Sequence, residues 1–574
     1  MRRRRFLRDI GIAGTGISFP SYLNLIQSGC HSKENGYELK SDIVIIGGGL
    51  GGCAAALAAC RKGASVILTE PTDWIGGQVS QQGVPPDEHS WIESFGRTAS
   101  YAQFRTLVRD YYRKNYPLTQ IAIDTEHLNP GNGMVSRLCH EPRVAVAVLQ
   151  EMLGPVINSG KLKILLNTVP VKADVAHDQI TAVECLDQVS GKSTLLHGNF
   201  FIDASEEGDL LPLTGTEYVI GAESRDETGE PHAPEVANPE NIQALTWCFA
   251  IDHLEGEDHV IERPEMYDFW KQHVPDLNPP WSGKLLSLAY SSPRTLESKD
   301  LSFVPPGKNS PAPNTPSLNL WLYRRIIDRT NFQPGTYPSD ITLVNWPQND
   351  YMLGNITDVS DDVREANSYK AKQLSLSLLY WLQTEPPRPD GRQGWKGLRL
   401  RKDLFDTSDG LAKYPYIRES RRIKAELTIK EQDLTLAERQ KVSKTRDKQV
   451  LATPFNDTVG IGYYHLDLHP STGGDNYIDM ASVPFQIPLG AMIPIRMENL
   501  IPGCKNIGTT HISNGCYRLH PVEWSIGEVA GHLCSFALKR QISPRDIRNI
   551  GKYLQDFQRL LVNNGIELEW SQLN

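Results

Sequence analysis

The sequence predicts an α/β fold: a Rossmann-like nucleotide-binding unit carrying a second, α+β region. Three observations predict it. The stretch SDIVIIGGGLGGCAAALAACRKGASVILTEP, residues 41–71, sets an apolar run, a glycine cluster, an alanine-rich helical pattern, a second apolar run and an acid in order. That order is the strand–turn–helix–strand unit that holds a dinucleotide. The chain has 574 residues, too many for one ordinary core, which implies two or more domains. Further short apolar runs at 161–187, 199–203 and 499–501 read as strands and extend the α/β pattern along the chain.

Taken in order, residues 1–38 read as an export signal and linker. MRRRRFLRDIGIAGTGISFPSYLNLIQSGC carries the pair Arg3-Arg4 with Phe6-Leu7 two places on, the pattern of a twin-arginine signal. The expected destination is the periplasm. The apolar part is short and holds Asp9, which argues against a stable membrane span. Cys30, preceded by Ser28-Gly29, is a weak candidate for lipid anchoring, because Gln27 is polar where such a signal wants an aliphatic residue. Membrane association through this segment is expected only on that reading.

Residues 39–224 form the first part of the nucleotide domain. Asp42 to Ile46 is a β-branched strand buried on both faces. Gly47, Gly49 and Gly52 give the G-x-G-x-x-G spacing, with Gly51 beside them. The first allows the tight turn, the second lets a pyrophosphate approach, and the third lets the helix pack on the sheet. A helix is expected over Gly52 to Arg61, its N-terminus facing the phosphates. Cys53 and Cys60 sit in it as small apolar residues. Val66 to Leu68 is the next strand, and Glu70 follows as the acceptor for ribose hydroxyls. WIGGQ then places Gly76, Gly77 and Gln78 shortly after the acid, as in FAD proteins, whereas an NAD domain usually continues into further βαβ units. Residues 161–175 and 180–187 read as strands, and the run ending at Asp203 as another, leading into the polar turn SEEGD.

The middle, 225–465, is rich in Pro, Trp and polar turns and reads as a substrate or cap region. TLVNWPQNDYML reads as a strand and turn, and LSLSLLYWLQTEPP as an apolar helix. In YIRESRRI, Arg418, Arg421 and Arg422 are spaced i, i+3 and i+4, which on a helix makes one positive face. It is either a solvated face or a clamp for an anion or for the cofactor. GYYHLDLHPS alternates, placing Tyr463, His465, Asp467 and His469 on one face of a strand. Positions i and i+2 on a strand lie roughly 6.6–6.8 Å apart, a stretched spacing for two ligands of one ion. No metal is expected, and none of the nine cysteines has C-x-x-C spacing. The net charge of −9 leaves no basic footprint for nucleic acid.

Residues 466–574 close the chain. Asn499 to Ile501 reads as a strand. His511, Arg518 and Pro521 follow, and Val522 to Arg540 reads as a helix, with Gly527 and Gly531 permitting close packing. Four segments, DIVIIGGGLGG…TE…WIGGQ, NFFIDASEEGDLLPLTGTEYVIGAES, YPYIRESRRI and NLIPGCKNIGTTHISNGCYRLHPVEWSIGEVAGHLCSFAL, resemble in sequence and order the bacterial FAD-dependent oxidoreductase family of the glutathione-reductase-type FAD fold. The resemblance implies a Rossmann-like FAD-binding domain formed from both ends of the chain, with the α+β substrate or cap domain inserted. It implies FAD as cofactor, with Asp203 beside the adenosine part and Gly508, Arg518 and Gly527 in the segment that closes around the flavin. One departure stands out: where the family has V-A-G-R, this chain has Pro502-Gly503-Cys504-Lys505, so the glycine is displaced by one position. A D-x-H common in the family is matched by Asp467 and His469, which makes His469 the leading candidate for a general base. His511 is the alternative, and Arg418 or Arg518 would orient an anionic group or stabilise reduced flavin.

The expected reaction moves a hydride from a carbon of a small alcohol or amine to flavin N5. The absence of a second G-x-G-x-x-G points to an external electron acceptor or oxygen. Two rivals are a flavin-dependent C–C double-bond reductase or desaturase, marked by a substrate-side arginine acting as acid, and a non-catalytic exported flavin-binding protein.

Overall fold

The computed structural model describes residues 37–305, 317–443 and 450–573. The arginine-rich segment with Arg3, Arg4 and Cys30 lies outside the described residues. A parallel sheet organises the rest. Its strands are β1 (Ile43–Ile46), β2 (Val66–Thr69), β3 (Leu162–Leu165), β4 (Phe200–Asp203) and β5 (Leu500–Pro502). Their spatial order is β5-β4-β1-β2-β3. Ile43 sits opposite both Val66 and Phe200, and Pro502 opposite Asp203. The two ends of the chain thus meet in one sheet.

β1 is buried along its whole length, as its β-branched run requires. Ile43 and Ile45 join a core with the helix α1 (Leu50–Arg61) and the later α3 (His520–Arg540). Val44 and Ile46 join a second core on the other face, with Ile180, Val183 and Leu196. Full burial of each such side chain is worth about 1.5–3 kcal/mol, so both layers are anchored by one short strand. The second layer is the antiparallel meander of Thr168–Ala176, Gln179–Asp187 and Ser193–His197. The expected single strand over 161–175 is two strands. Asn167, at φ 53°, turns the chain out of β3 and into the meander.

α1 starts at Leu50, two residues before the expected Gly52. Its alanines and both cysteines are buried, and this small-residue surface receives α3. The contact is close: a Cβ built on Gly527 would lie 2.0 Å from the carbonyl oxygen of Gly51. α3 begins at His520, with Pro521 in its first turn. Just before it lies α2 (His511–Tyr517).

The inserted region holds an antiparallel sheet in the order Arg325–Ile327, Ile341–Val344, Phe249–His253, Leu398–Leu400. Helix Asp361–Thr384 buries Leu374, Leu378 and Leu382 in the same core as Phe249 and Ile251. No helix among the described residues is long and apolar enough to cross a membrane. The described cysteines are all buried and unpaired with one another.

Two expectations are corrected. YIRESRRI is not a helix: residues 415–421 run without helix, and Arg422–Ile423 pairs as a strand with Tyr218–Val219. Each arginine is drawn to a different acid, Arg418 to Asp350, Arg421 to Asp358 and Arg422 to Glu419, so no common face forms. GYYHLDLHPS is not one strand either. Strand Thr458–Gly462 ends before Tyr463, and a new one covers Leu466–Leu468. Tyr463 turns away, stacking 5.2 Å from Trp91, while Asp467 and His469 stay together.

Candidate functional site

The β1–α1 turn forms a cradle lined by backbone. Gly47 has φ 100°, and a Cβ there would lie 2.3 Å from the Ala204 oxygen, so a side chain is excluded by both conformation and space. α1 opens at Gly49 with no side-chain cap and no acid in its first turn. Its N–H groups and positive dipole end are left for a ligand. Gly52 seats α1 on the turn: its Cβ would lie 1.9 Å from the Gly47 oxygen. Gly76 N–H donates to the Gly48 oxygen at 2.8 Å, which folds the Gly76-Gly77 turn onto the cradle beside Gly49. Glu70 directly follows β2 and accepts from Gly48 N–H at 3.1 Å and from Thr72 N–H at 2.9 Å. Burial pushes its carboxyl up to about 7.

A second helix N-terminus converges here. Gln78 Nε2 donates to Glu523, in the first turn of α3, at 2.6 Å, and to the Arg518 oxygen at 3.0 Å. Between the two helices the fully buried Lys505 pairs with Glu206 and lies 3.9 Å from Glu523. The displaced glycine is accommodated: Gly503 takes the close approach, its oxygen 1.9 Å from a Cβ built on Gly51. Oε1 of Glu206 and Oε1 of Glu523 are buried without a hydrogen-bond partner. Two helix N-termini, an uncapped glycine turn and an acid just after β2 fit a flavin dinucleotide. α1 would hold its pyrophosphate and Glu70 its ribose hydroxyls.

Three further sequence candidates have local partners of their own. Asp203 is fully buried, but its carboxylate accepts from Ser205 Oγ at 2.7 Å and Leu210 N–H at 3.0 Å, organising the turn after β4. Burial pushes it up to about 6. Gly508 packs against Ala425 and Leu427, and Gly527 holds the α1–α3 contact.

Next to Gln78 begins a polar chain. Tyr416 hydroxyl donates to Gln78 Oε1 at 3.1 Å, and the Arg418 guanidinium lies 5.2 Å from the Tyr416 ring. Arg418 donates to Asp350 Oδ1 at 2.9 Å, to Thr246 Oγ1 at 2.9 Å and to the Ala244 oxygen at 2.7 Å. Asp350 Oδ2 lies 2.6 Å from His469 Nδ1. His469 Nε2 is 3.8 Å from Asp467, which in turn accepts from Arg518 at 2.9 Å. The structure therefore brings Gln78, Arg418, His469 and Arg518 together.

The electrostatics define the histidine's state. Burial favours neutral Asp350, yet Arg418 and His469 overcome it and hold the acid below its usual range. Burial, helped by Arg418, lowers His469 despite the two aspartates. The ring is thus neutral near pH 7, and the Asp350 carboxylate fixes the proton on Nδ1. Nε2 keeps its lone pair, and the side chain retains 19% of its exposure, enough to be reached.

His511 is not part of this chain. Its Nδ1 lies 2.8 Å from Glu419, which also takes Arg422 at 2.6 Å. Burial opposes the charge on His511, but Glu419 outweighs it and raises the pKa, so His511 is an ion-pair partner rather than a free base. His465, Asp467 and Asp479 bring one ligand atom each within 4.8 Å of one another. Asp467 and Asp479 are, however, answered by Arg518 at 2.9 Å and Arg294 at 3.4 Å.

Sequence reasoning missed Asp350, Thr246, Tyr416, Glu206 and Lys505 as site residues. The signal for Asp350 was an acid within the otherwise uncharged TLVNWPQNDYML. Lys505 was visible only as the departure in the closing segment.

A family model described as FAD dependent oxidoreductase matches residues 42–561. No curated protein matches the chain. Solved structures include quinol fumarate reductase FrdA from E. coli, at 10% identity and TM-score 0.31, covering 92% of this chain and 74% of that one. A geranylgeranyl bacteriochlorophyll reductase-like protein from Thermoplasma acidophilum matches at 9% identity and TM-score 0.30, covering 92% and 85%. L-proline dehydrogenase from P. horikoshii matches at 15% identity and TM-score 0.17, covering 33% of this chain and 25% of that one. For the first four solved structures, the match spans 25%, 43%, 41% and 40% of their own lengths.

Proposed function

The chain belongs to the FAD-dependent oxidoreductase family, and from that premise we propose that it oxidises an alcohol- or amine-bearing carbon of a small organic substrate, with His469 as the general base. FAD, when bound, supplies the two-electron acceptor for the hydride. The protein's part is to place the substrate and take its proton. The observation that carries the reading is the Asp350–His469 contact of 2.6 Å, with Asp350 fixed by Arg418 and Nε2 left open. Nε2 would accept the hydroxyl or ammonium proton as the hydride leaves the adjacent carbon, and Asp350 would stabilise the imidazolium that forms. Arg518, between α2 and α3, would orient the substrate or balance charge on reduced flavin.

A C–C double-bond reductase would want a substrate-side arginine free to act as acid, and both Arg418 and Arg518 are ion-paired. The electron acceptor is external, a small oxidant or oxygen. Export by the twin-arginine route remains our reading of residues 1–30, supported by Arg3-Arg4 and Phe6-Leu7. Cell fractionation of the full chain tests it, with retention in the cytoplasm the contrary result.

The deciding experiment is anaerobic addition of alcohols and amines to the holoenzyme. Loss of flavin absorbance near ~450 nm that is lost in His469→Gln supports the reading. Bleaching that proceeds unchanged in that variant defeats it.

A further inference from the structure

We infer that the site beside His469 takes an uncharged, hydroxyl-rich molecule, a neutral sugar or polyol, rather than an acid or an amine; the inference rests on the reading of His469 above. Three arginines stand in this site, and each is closed by its own aspartate. Arg418 pairs with Asp350 at 2.9 Å, Arg518 with Asp467 at 2.9 Å and Arg324 with Asp87 at 3.4 Å. The pairs are neighbours: Asp87 N–H donates at 3.0 Å to His520, two residues after Arg518, and the Arg324 oxygen accepts from Leu343 N–H on the strand that leads to Asn345, which accepts from Arg418 at 3.3 Å. Asp479 lies 3.4 Å from the largely exposed Arg294 and 3.6 Å from His465. His469 is neutral, so the paired charges sum to zero.

A carboxylate entering such a site finds no free cation, and an ammonium finds no free anion. Either would be desolvated without a partner, or would break an existing buried pair and strand one half of it. Stranding one half of a buried pair is strongly unfavourable, because the remaining charge is left uncompensated away from water. Hydrogen-bonding capacity, by contrast, is plentiful. The Nε–H groups of Arg324, Arg418 and Arg518 are buried and have no hydrogen-bond partner. They are donors on groups whose charge is already neutralised. Hydroxyl groups both donate and accept, so they can meet these N–H groups and the outer oxygens of the aspartates without a net charge of their own. Oxidation of such a molecule would balance: His469 Nε2 would take the hydroxyl proton, FAD when bound would supply the acceptor for the hydride from the carbinol carbon, and a carbonyl would form.

The test uses matched skeletons against the anaerobic holoenzyme. One set is glucose, glucuronate and glucosamine, and the other glycerol, glycerate and 2-amino-1,3-propanediol. Flavin bleaching is followed as the second-order rate constant of flavin reduction. The neutral member should lead its charged partners by at least ~100-fold, the size of a stranded buried charge. Asp87→Asn frees Arg324 and should shift preference toward the anionic member by ~10-fold or more. If that variant loses flavin, Asp467→Asn serves the same purpose through Arg518. A charged member that equals or beats the neutral one overturns the inference, as does bleaching by no neutral polyol at all, or an unmoved preference in the aspartate variant. The two readings fail separately. A charged substrate oxidised in a His469-dependent manner removes the substrate class and leaves the base. A polyol oxidised equally well by His469→Gln does the reverse.

Discussion

At the scale of single residues, the site is governed by which proton sits where. His469→Gln should lower the rate of flavin reduction by ~10²–10⁴ while leaving the spectrum of bound FAD intact, as stopped-flow absorbance would show. Because burial and Arg418 lower the pKa of His469, the rate of reduction should rise with pH along a limb lying below the usual histidine range. Asp350→Asn removes the negative neighbour that favours the imidazolium. The limb should then move to still lower pH and the plateau should fall, whereas damage to the fold alone would lower the plateau and leave the limb in place. Glu70 gives a second test. Its pKa in the folded protein, pushed up by burial to about 7, stands above its ordinary value of 4.5. Its favourable contribution is therefore full below the unfolded value and is lost as pH rises through about 7. Glu70→Gln should weaken FAD binding, yet raise the stability of the FAD-free protein near pH ~8 relative to pH ~5, by about 2–3 kcal/mol. Melting temperatures at the two pH values, beside an FAD titration, check both signs.

At the scale of elements, the α1–α3 crossing depends on the absence of side chains. Gly527→Ala would set a Cβ 2.0 Å from the Gly51 oxygen and should cost about 1–3 kcal/mol or more. Gly154→Ala, in helix Pro142–Asn158 with nothing within 4 Å, should be neutral or stabilising by about 0.5–1 kcal/mol. Thermal denaturation of the two variants separates packing from propensity. The same elements show what the sequence could reveal. β1, the glycine turn, α1, β2 and Glu70 were legible because each is fixed by its neighbours within a few residues. The arginines at 418, 421 and 422 were misread because their spacing is helical, while the acids that hold Arg418 and Arg421, Asp350 and Asp358, lie more than 60 positions away in the chain. Asp350 is 68 positions from Arg418 and 119 from His469. No local pattern announces a partner at that distance. Asp467 and His469 were read as sharing a face, and they do. Tyr463 was placed with them because alternation continues across a break that only tertiary packing reveals.

At the scale of the whole molecule, the cofactor cradle joins the first and last parts of the sequence. β5 completes the sheet beside β4, and α3 brings Glu523 and Gly527 against α1. A chain ended after residue 497 would keep the glycine turn and Glu70 but lose β5, α2 and α3. It should retain no flavin on purification, and its absorption spectrum against that of the full chain decides the matter. The arrangement also sets a timetable for birth. β4 leaves the ribosome roughly 300 residues before its neighbour β5, which at 5–20 residues per second is a delay of roughly 15–60 s. Throughout that interval the nascent protein carries one open sheet edge and an exposed alanine-rich helix face. Loading of the flavin is therefore an act of the finished polypeptide, and whatever shields that edge in the meantime, chaperone or solvent-facing charge, influences how much active enzyme a cell obtains.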